Sequence, residues 1–239
     1  MIELSVVVPV LNEADNIPTL VREIRTALEG RLAYEIVYVN DGSTDRTPEV
    51  LAALCRDLPN FRALHHDKRS GQSAAVRSGV KAAHGQWIAT LDGDGQNDPA
   101  DIPNLWAKMQ SLGGGAVMIA GWRTQRKDVW SKRIASRLAN RIRAGLLRDE
   151  TPDTGCGIKL FPREVFLEFP YFNHYHRYLA ALMKRQGGKV VSVPVNHRPR
   201  GAGKSNYGNL DRALVGISDL FGVAWLQRRG SIPRVREEA

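Results

Sequence analysis

Cysteine is nearly absent from this chain: Cys55 and Cys156 are the only two in 239 residues, and neither has a second Cys or a His at zinc-ligand spacing. A disulfide framework and a zinc site are therefore not expected, and a reducing compartment fits. Long apolar runs are lacking too. No stretch reaches the roughly 18 apolar residues that a membrane span needs. Met1-Ile2-Glu3-Leu4 passes directly into a strand pattern, with no basic region and apolar run before it, so no signal peptide is expected. Prolines and glycines are scattered, and no linker, repeat or low-complexity tract stands out. Negative charge is in the minority. The 34 Lys and Arg against 25 Asp and Glu leave +9, which favours a polyanionic partner: nucleic acid, nucleotide phosphates or an anionic membrane surface.

What is present is a βαβ alternation. Ser5-Val6-Val7-Val8-Pro9-Val10 is a β-branched run suited to a strand buried on both faces of a parallel sheet. Ile17, Leu20, Val21, Ile24 and Leu28 recur at helical spacing. Strands are then expected at 35–39, 61–65, 86–91 and 116–120, with helices to about Arg56, over 73–83 and around Ile102, Leu105, Trp106 and Met109. Later strands are expected at 157–161 and 189–195, with a helix over 175–185 between them. An open, mostly parallel sheet flanked by helices binds ligands at the carboxyl ends of its strands. That rule brings Pro9 to Glu13, Asp41 to Ser43 and Asp92 to Gln96 together.

Leu91-Asp92-Gly93-Asp94-Gly95-Gln96 follows the apolar Trp87-Ile88-Ala89-Thr90 and precedes Asn97-Asp98-Pro99. Two carboxylates one residue apart at the end of a buried strand are desolvated and repel each other unless a cation lies between them. Oxygen ligands from Asp92, Asp94 and Gln96 suit Mg2+ or Mn2+, with coordination left over for phosphate oxygens. The competing reading is an acidic turn whose Asp98 caps the next helix.

Two amphipathic segments follow. Between Arg123 and Arg148 lie nine basic residues and one acidic one, while Trp130, Ile134, Leu138, Ile142 and Leu146 fall every fourth residue. The second, about 208–228, carries Leu210, Leu214, Ile217, Phe221 and Trp225 and closes on Arg228-Arg229. Both match helices lying in a membrane interface; a surface helix covering the sheet is the alternative for the first. Gly203-Lys204-Ser205 is not a Walker loop, because Arg198 stands where its first Gly belongs. His65-His66 and His174 with His176 lack the helical spacing of a metal site.

Val8-Pro9-Val10-Leu11-Asn12-Glu13, Val39-Asn40-Asp41-Gly42-Ser43-Thr44-Asp45 and Leu91 to Gln96 together resemble the inverting family-2 glycosyltransferases of GT-A fold, nearest the polyprenyl-phosphate sugar synthases (the dolichyl-phosphate mannosyltransferase group). Asp153 to Gly157, His176 to Leu179 and His197 to Tyr207 also look like that group's later motifs. The resemblance implies a GT-A catalytic domain over 1–205, with a nucleotide-binding half to 120 and an acceptor half beyond it, then an interface helix over 206–230 and a disordered tail. It implies a UDP- or GDP-sugar held by Pro9, Leu11, Glu13, Asp41, Asp92 and Lys204, with the metal on Asp92, Asp94 and Gln96. The implied acceptor is a polyprenyl phosphate at the cytoplasmic face of the membrane, with His176 near it; the candidates to hold its phosphate, on their charge and hydrogen-bonding chemistry, are Lys132 or Arg133 with Arg200, Lys204 and Ser205, and dimerisation is a further expected aid to docking. Asp94, Arg123 and Arg200 would serve catalysis.

A lipid phosphate is already an anion and needs little help from a base, so guanidinium groups that match its geometry would align it. A hydroxyl acceptor would need a carboxylate base, for which Asp153 is the candidate. A nucleic-acid-binding module is disfavoured, because the positive charge sits in amphipathic helices without an aromatic platform or nucleic-acid motif.

Overall fold

The central strand β1 (Leu4–Val10) pairs in parallel with β2 (Tyr34–Asn40) on one side and β4 (Trp87–Thr90) on the other. In this computed structural model, which describes residues 1–124, 143, 145–149, 151–199, 209–231 and 233, seven strands form one sheet in the order β3-β2-β1-β4-β6-β5-β7. The remaining strands are β3 (Phe61–His65), β5 (Val117–Arg123), β6 (Lys159–Pro162) and β7 (Lys189–Val195).

Side-chain alternation along β1 divides the core. Leu4, Val6, Val8 and Val10 join one cluster, in which α1 (Ile17–Leu28) contributes Ile17, Leu20 and Ile24 and α4 (Ile102–Ser111) contributes Ile102 and Leu105. Leu51 of α2 (Thr47–Asp57) belongs to the same side. Val7 points the other way, into a cluster with Val76 and Val80 of α3 (Gln72–Ala82), Phe166 of α5 (Arg163–Leu167) and Leu179 and Leu182 of α6 (Leu179–Arg185). Each such aliphatic side chain removed from water contributes about 1.5–3 kcal/mol, so burial on both faces explains the uninterrupted β-branched run.

The mostly parallel order holds with one exception that shapes the site. β6 runs antiparallel between β4 and β5, placing Lys159 beside Thr90 and Ala120. The start of β6 therefore lies level with the carboxyl ends of the parallel strands.

The helix expected over 175–185 is interrupted. His174 takes a left-handed conformation (φ 67°), residues 175–177 form one 3-10 turn, and α6 begins only after Tyr178. The Tyr178 hydroxyl donates to the Gly216 carbonyl of α7 (Asn209–Arg229) at 3.0 Å, tying the residue before α6 to that helix. Val223 and Ala224 of α7 pack against Ala181 and Tyr178, while Val215, Ile217, Phe221 and Trp225 stay exposed. Most of the expected basic helix at 130–147 lies outside the described residues; Arg143 and residues 145–147 are helical. No helix among the described residues is long and apolar enough to cross a membrane.

Candidate active site

A cleft of about 650 Å³ opens over the carboxyl ends of β1, β2 and β4. It is lined by Pro9, Leu11, Glu13, Asp41, Asp92, Asp94, Gln96, Arg123 and His176 among the residues singled out from the sequence. Asp153 adjoins it through Arg123. Lys132, Arg133, Arg200, Lys204 and Ser205 lie outside the described residues.

The loops after β1 and β2 are laced together. Asn12 donates its N–H to Ser43 Oγ at 2.9 Å and accepts the Thr44 N–H at 2.8 Å, and Glu13 donates its N–H to Thr47 Oγ1 at 3.1 Å. Asp41 sits at the end of β2 and is buried. Its Oδ1 accepts the Ser70 N–H at 2.8 Å and lies 2.8 Å from His66 Nδ1, while Oδ2 accepts the Gly71 N–H at 2.7 Å. The carboxylate thus fixes the entry of α3, whose first residues Gln72 and Ser73 face the cleft. A helix amino terminus so placed favours an anion. The second lone pair of Oδ2 still leaves Asp41 an acceptor for a ligand hydroxyl or N–H.

The acidic turn forms the floor. Asp92 keeps only a minor part of its surface exposed and lines the cleft, and its Oδ1 accepts a hydrogen bond from Gln72 Nε2 at 2.9 Å. Poor solvation of the carboxylate pushes its pKa up, and the neighbouring Asp94 adds to this. Asp94 Oδ1 accepts the Gln96 N–H at 3.1 Å. The Gln96 carbonyl accepts the Arg198 N–H at 3.0 Å, so the side-chain amide is the freer oxygen donor. Asp98 Oδ1 accepts the Ala100 N–H at 3.0 Å, capping the 3-10 turn at 99–101. The turn therefore both caps the next segment and presents two carboxylates.

Two glycines allow this approach. A Cβ on Gly93 would meet Val10 Cγ1 at 2.5 Å, so the glycine between the aspartates permits close packing onto β1 as well as adding backbone freedom. A Cβ on Gly157 would collide with the Asp92 carboxylate, so the loop before β6 is pressed against it.

The residues fit a hard divalent cation. The donors are oxygens only, and two like-charged carboxylates share one poorly solvated floor. Among the described residues no group of three or more His, Cys, Asp and Glu could hold a metal unaided. The remaining ligands would have to come from elsewhere, as phosphate oxygens would.

Arg123 and Asp153 form a buried two-pronged pair: Nε to Oδ2 is 2.7 Å and Nη2 to Oδ1 is 2.8 Å. Burial works against the Arg123 charge, but the Asp153 bonds outweigh it and raise the guanidinium pKa. Asp153 is therefore committed to orienting Arg123, a poor arrangement for a proton acceptor.

Several residues facing or bracing the cleft have partners that sequence reading did not find. His66, considered there only as a metal ligand, links Asp41 to Ser78 Oγ at 2.9 Å. His176 Nδ1 lies 2.7 Å from Ser73 Oγ. Arg198 grips Glu23 at 2.8 and 3.0 Å and donates to the Asn97 carbonyl at 2.9 Å, clasping the acidic turn from behind. Lys159 lines the floor beside Asp92. Each is placed by a neighbour distant in sequence; the motifs that hold His176 and Arg198 carried a signal, and His66 as a brace and Lys159 carried none.

The family profile described as Glycosyl transferase family 2 matches residues 5–169. The chain belongs to glycosyltransferase family 2. This transferase is 30% identical over 237 residues to the dodecaprenyl-phosphate galacturonate synthase of Rhizobium johnstonii, covering 97% of this chain and 69% of that one. It is 31% identical over 208 residues to the undecaprenyl-phosphate 4-deoxy-4-formamido-L-arabinose transferase of an Enterobacter species, covering 86% of this chain and 62% of the relative's length. Among solved structures, glucosyl-3-phosphoglycerate synthase from Mycobacterium tuberculosis, crystallised with Mn2+, UDP and glucosyl-3-phosphoglycerate, superposes with a TM-score of 0.66 at 20% identity, covering 98% of this chain and 81% of that one. That likeness shows the GT-A fold.

Proposed function

We propose that this family-2 transferase moves a sugar from a UDP- or GDP-sugar to a polyprenyl phosphate at a membrane surface. The observation that carries the reading is the convergence of Asp41, Asp92, Asp94 and the amino terminus of α3 on one cleft. The acceptor class is supported by the two relatives at about 30% identity, whose names both specify a polyprenyl phosphate.

Asp41, with Pro9, Leu11 and Glu13 around it, holds the nucleoside end of the donor. Asp92, Asp94 and the Gln96 amide hold Mg2+ or Mn2+, which when bound would neutralise charge gathering on the departing diphosphate. The α3 amino terminus adds a fixed positive dipole beside the same phosphates. Arg123, aligned by Asp153, faces the acceptor, and His176 lines the same cleft. Lys132, Arg133, Arg200, Lys204 and Ser205 are the further phosphate ligands in this reading.

A phosphate acceptor suits the Arg123–Asp153 pair. An ionised phosphate oxygen attacks without surrendering a proton, whereas a hydroxyl would call on a carboxylate that is already taken by a guanidinium. Helix α7 supplies the docking face: Ile217, Phe221 and Trp225 lie along one exposed stripe that ends at Arg228 and Arg229, fitting an anionic bilayer on its cytoplasmic side. Transfer of radiolabel from UDP- and GDP-sugars to undecaprenyl phosphate with Mn2+ present tests the function. A labelled lipid is expected from one donor class, and no labelled lipid from any donor would overturn it.

A further inference from the structure

Lys159 is only 5% exposed, yet it lines the cleft. The antiparallel insertion of β6 puts it there, in register with Thr90, two residues before Asp92, and with Ala120, three before Arg123. Thr90 Oγ1 donates to the Gly157 carbonyl at 2.7 Å and holds this corner shut. An ammonium carries three donors, and burying it is costly when they go unmet. The hydrogen bond that Lys159 makes among the described residues runs to the Cys156 carbonyl. Burial works against the Lys159 charge and pushes its pKa down, while Asp92 and Asp153 favour the charged form; Asp153 is itself gripped by Arg123 through Nε and Nη2. Lys159 therefore brings an ammonium with donors to spare to the cleft, beside the Nη1 that Arg123 keeps outside its grip on Asp153.

We propose that Lys159 is a phosphate-binding residue, its ammonium taking an oxygen of a phosphoryl group seated against the acidic turn. The inference rests on the functional reading above and adds a ligand to it. The phosphoryl group could belong to the donor diphosphate or to the lipid acceptor, and both present the same oxygen chemistry to an ammonium ion.

Thermal-shift titrations of the full chain decide, with UDP and GDP in the presence of Mn2+ as one arm and farnesyl phosphate as the other. Lys159→Met is expected to weaken at least one probe by about tenfold, since a charge-assisted bond is lost. Loss confined to the nucleotides assigns the ammonium to the donor, and loss confined to farnesyl phosphate assigns it to the acceptor. Lys159→Gln, which keeps a donor for the Cys156 carbonyl, replaces the Met variant should that fail to fold. Affinity within threefold of native for every probe that the native chain binds overturns the proposal. A native chain that binds none of the probes overturns the functional reading itself, and Lys159 falls with it.

Discussion

Membrane docking through α7 can be tested without touching the cleft. Phe221 and Trp225 are 64% and 58% exposed. Burying a side chain of this class completely is worth about 1.5–3 kcal/mol, so the area each still shows to water represents about 1–2 kcal/mol of transfer into an interface. Replacing both by Ser should cost about 2–4 kcal/mol of partitioning, or about 30- to 700-fold at ~1.4 kcal/mol per tenfold. The fold should hardly notice, because exposed substitutions usually stay within about 0.5 kcal/mol. Co-sedimentation with phosphatidylglycerol vesicles, titrated in lipid, measures the loss; melting temperature is the control. Arg228→Gln with Arg229→Gln should remove about 1 kcal/mol per charge, and that part should vanish in high salt. Equal sedimentation of the native and Phe221→Ser/Trp225→Ser chains at every lipid concentration would refute the reasoning and leave the exposed stripe for another partner.

Three further outcomes follow from the cleft and the core. Asp92→Asn or Asp94→Asn should cut sugar transfer by at least about 100-fold and abolish the Mn2+-dependent thermal shift from nucleotides; removing one of two like charges should also leave the free protein no less stable, and retained transfer counts against the metal assignment. Glu35 is buried at the opposite end of the sheet, where burial alone would raise its pKa; bonds from Ser5 Oγ, the His84 N–H and Arg62 outweigh this and lower it. Its contribution is therefore present above the ordinary carboxylate range and lost as pH falls through the lowered native value, so Glu35→Gln should cost about 1.5–3 kcal/mol near neutrality and flatten the acid limb of stability against pH in urea titrations. Asp153→Asn should lower transfer about as far as Arg123→Gln does and leave the shape of the pH–rate profile unchanged, whereas loss of the profile's ascending limb would identify Asp153 as a base.

Much of the fold was legible because its signals are local. The run from Ser5 to Val10 has to be buried on both faces, and β1 is covered by α1 and α4 on one side and α3 on the other. Helical spacing through Ile17 and Leu28 and the strand at Phe61–His65 needed no distant partner to be recognised. Once the strands are parallel, their carboxyl ends share one edge, and that alone unites Glu13, Asp41, Asp92 and Asp94 around a cleft.

What stayed hidden depends on direction and pairing. A four-residue strand such as Lys159–Pro162 carries no mark of whether it runs with or against its neighbours, and Lys159, mid-strand in the expected 157–161, has nothing around it in sequence that points to a cleft. Only the antiparallel register with Thr90 turns that residue inward beside Asp92. His66 likewise looks like half of a histidine pair until β3 lies against β2 and brings it to Asp41. Asp153 looks like a free carboxylate until β5 delivers Arg123 to it. In each case the sequence shows which groups can ionise, while the topology decides which charges meet, and it is the meeting that separates a base from a brace. The same reasoning makes Lys159 the sharper test of the cleft than Arg123, since only one of these two cations has its best donors already engaged.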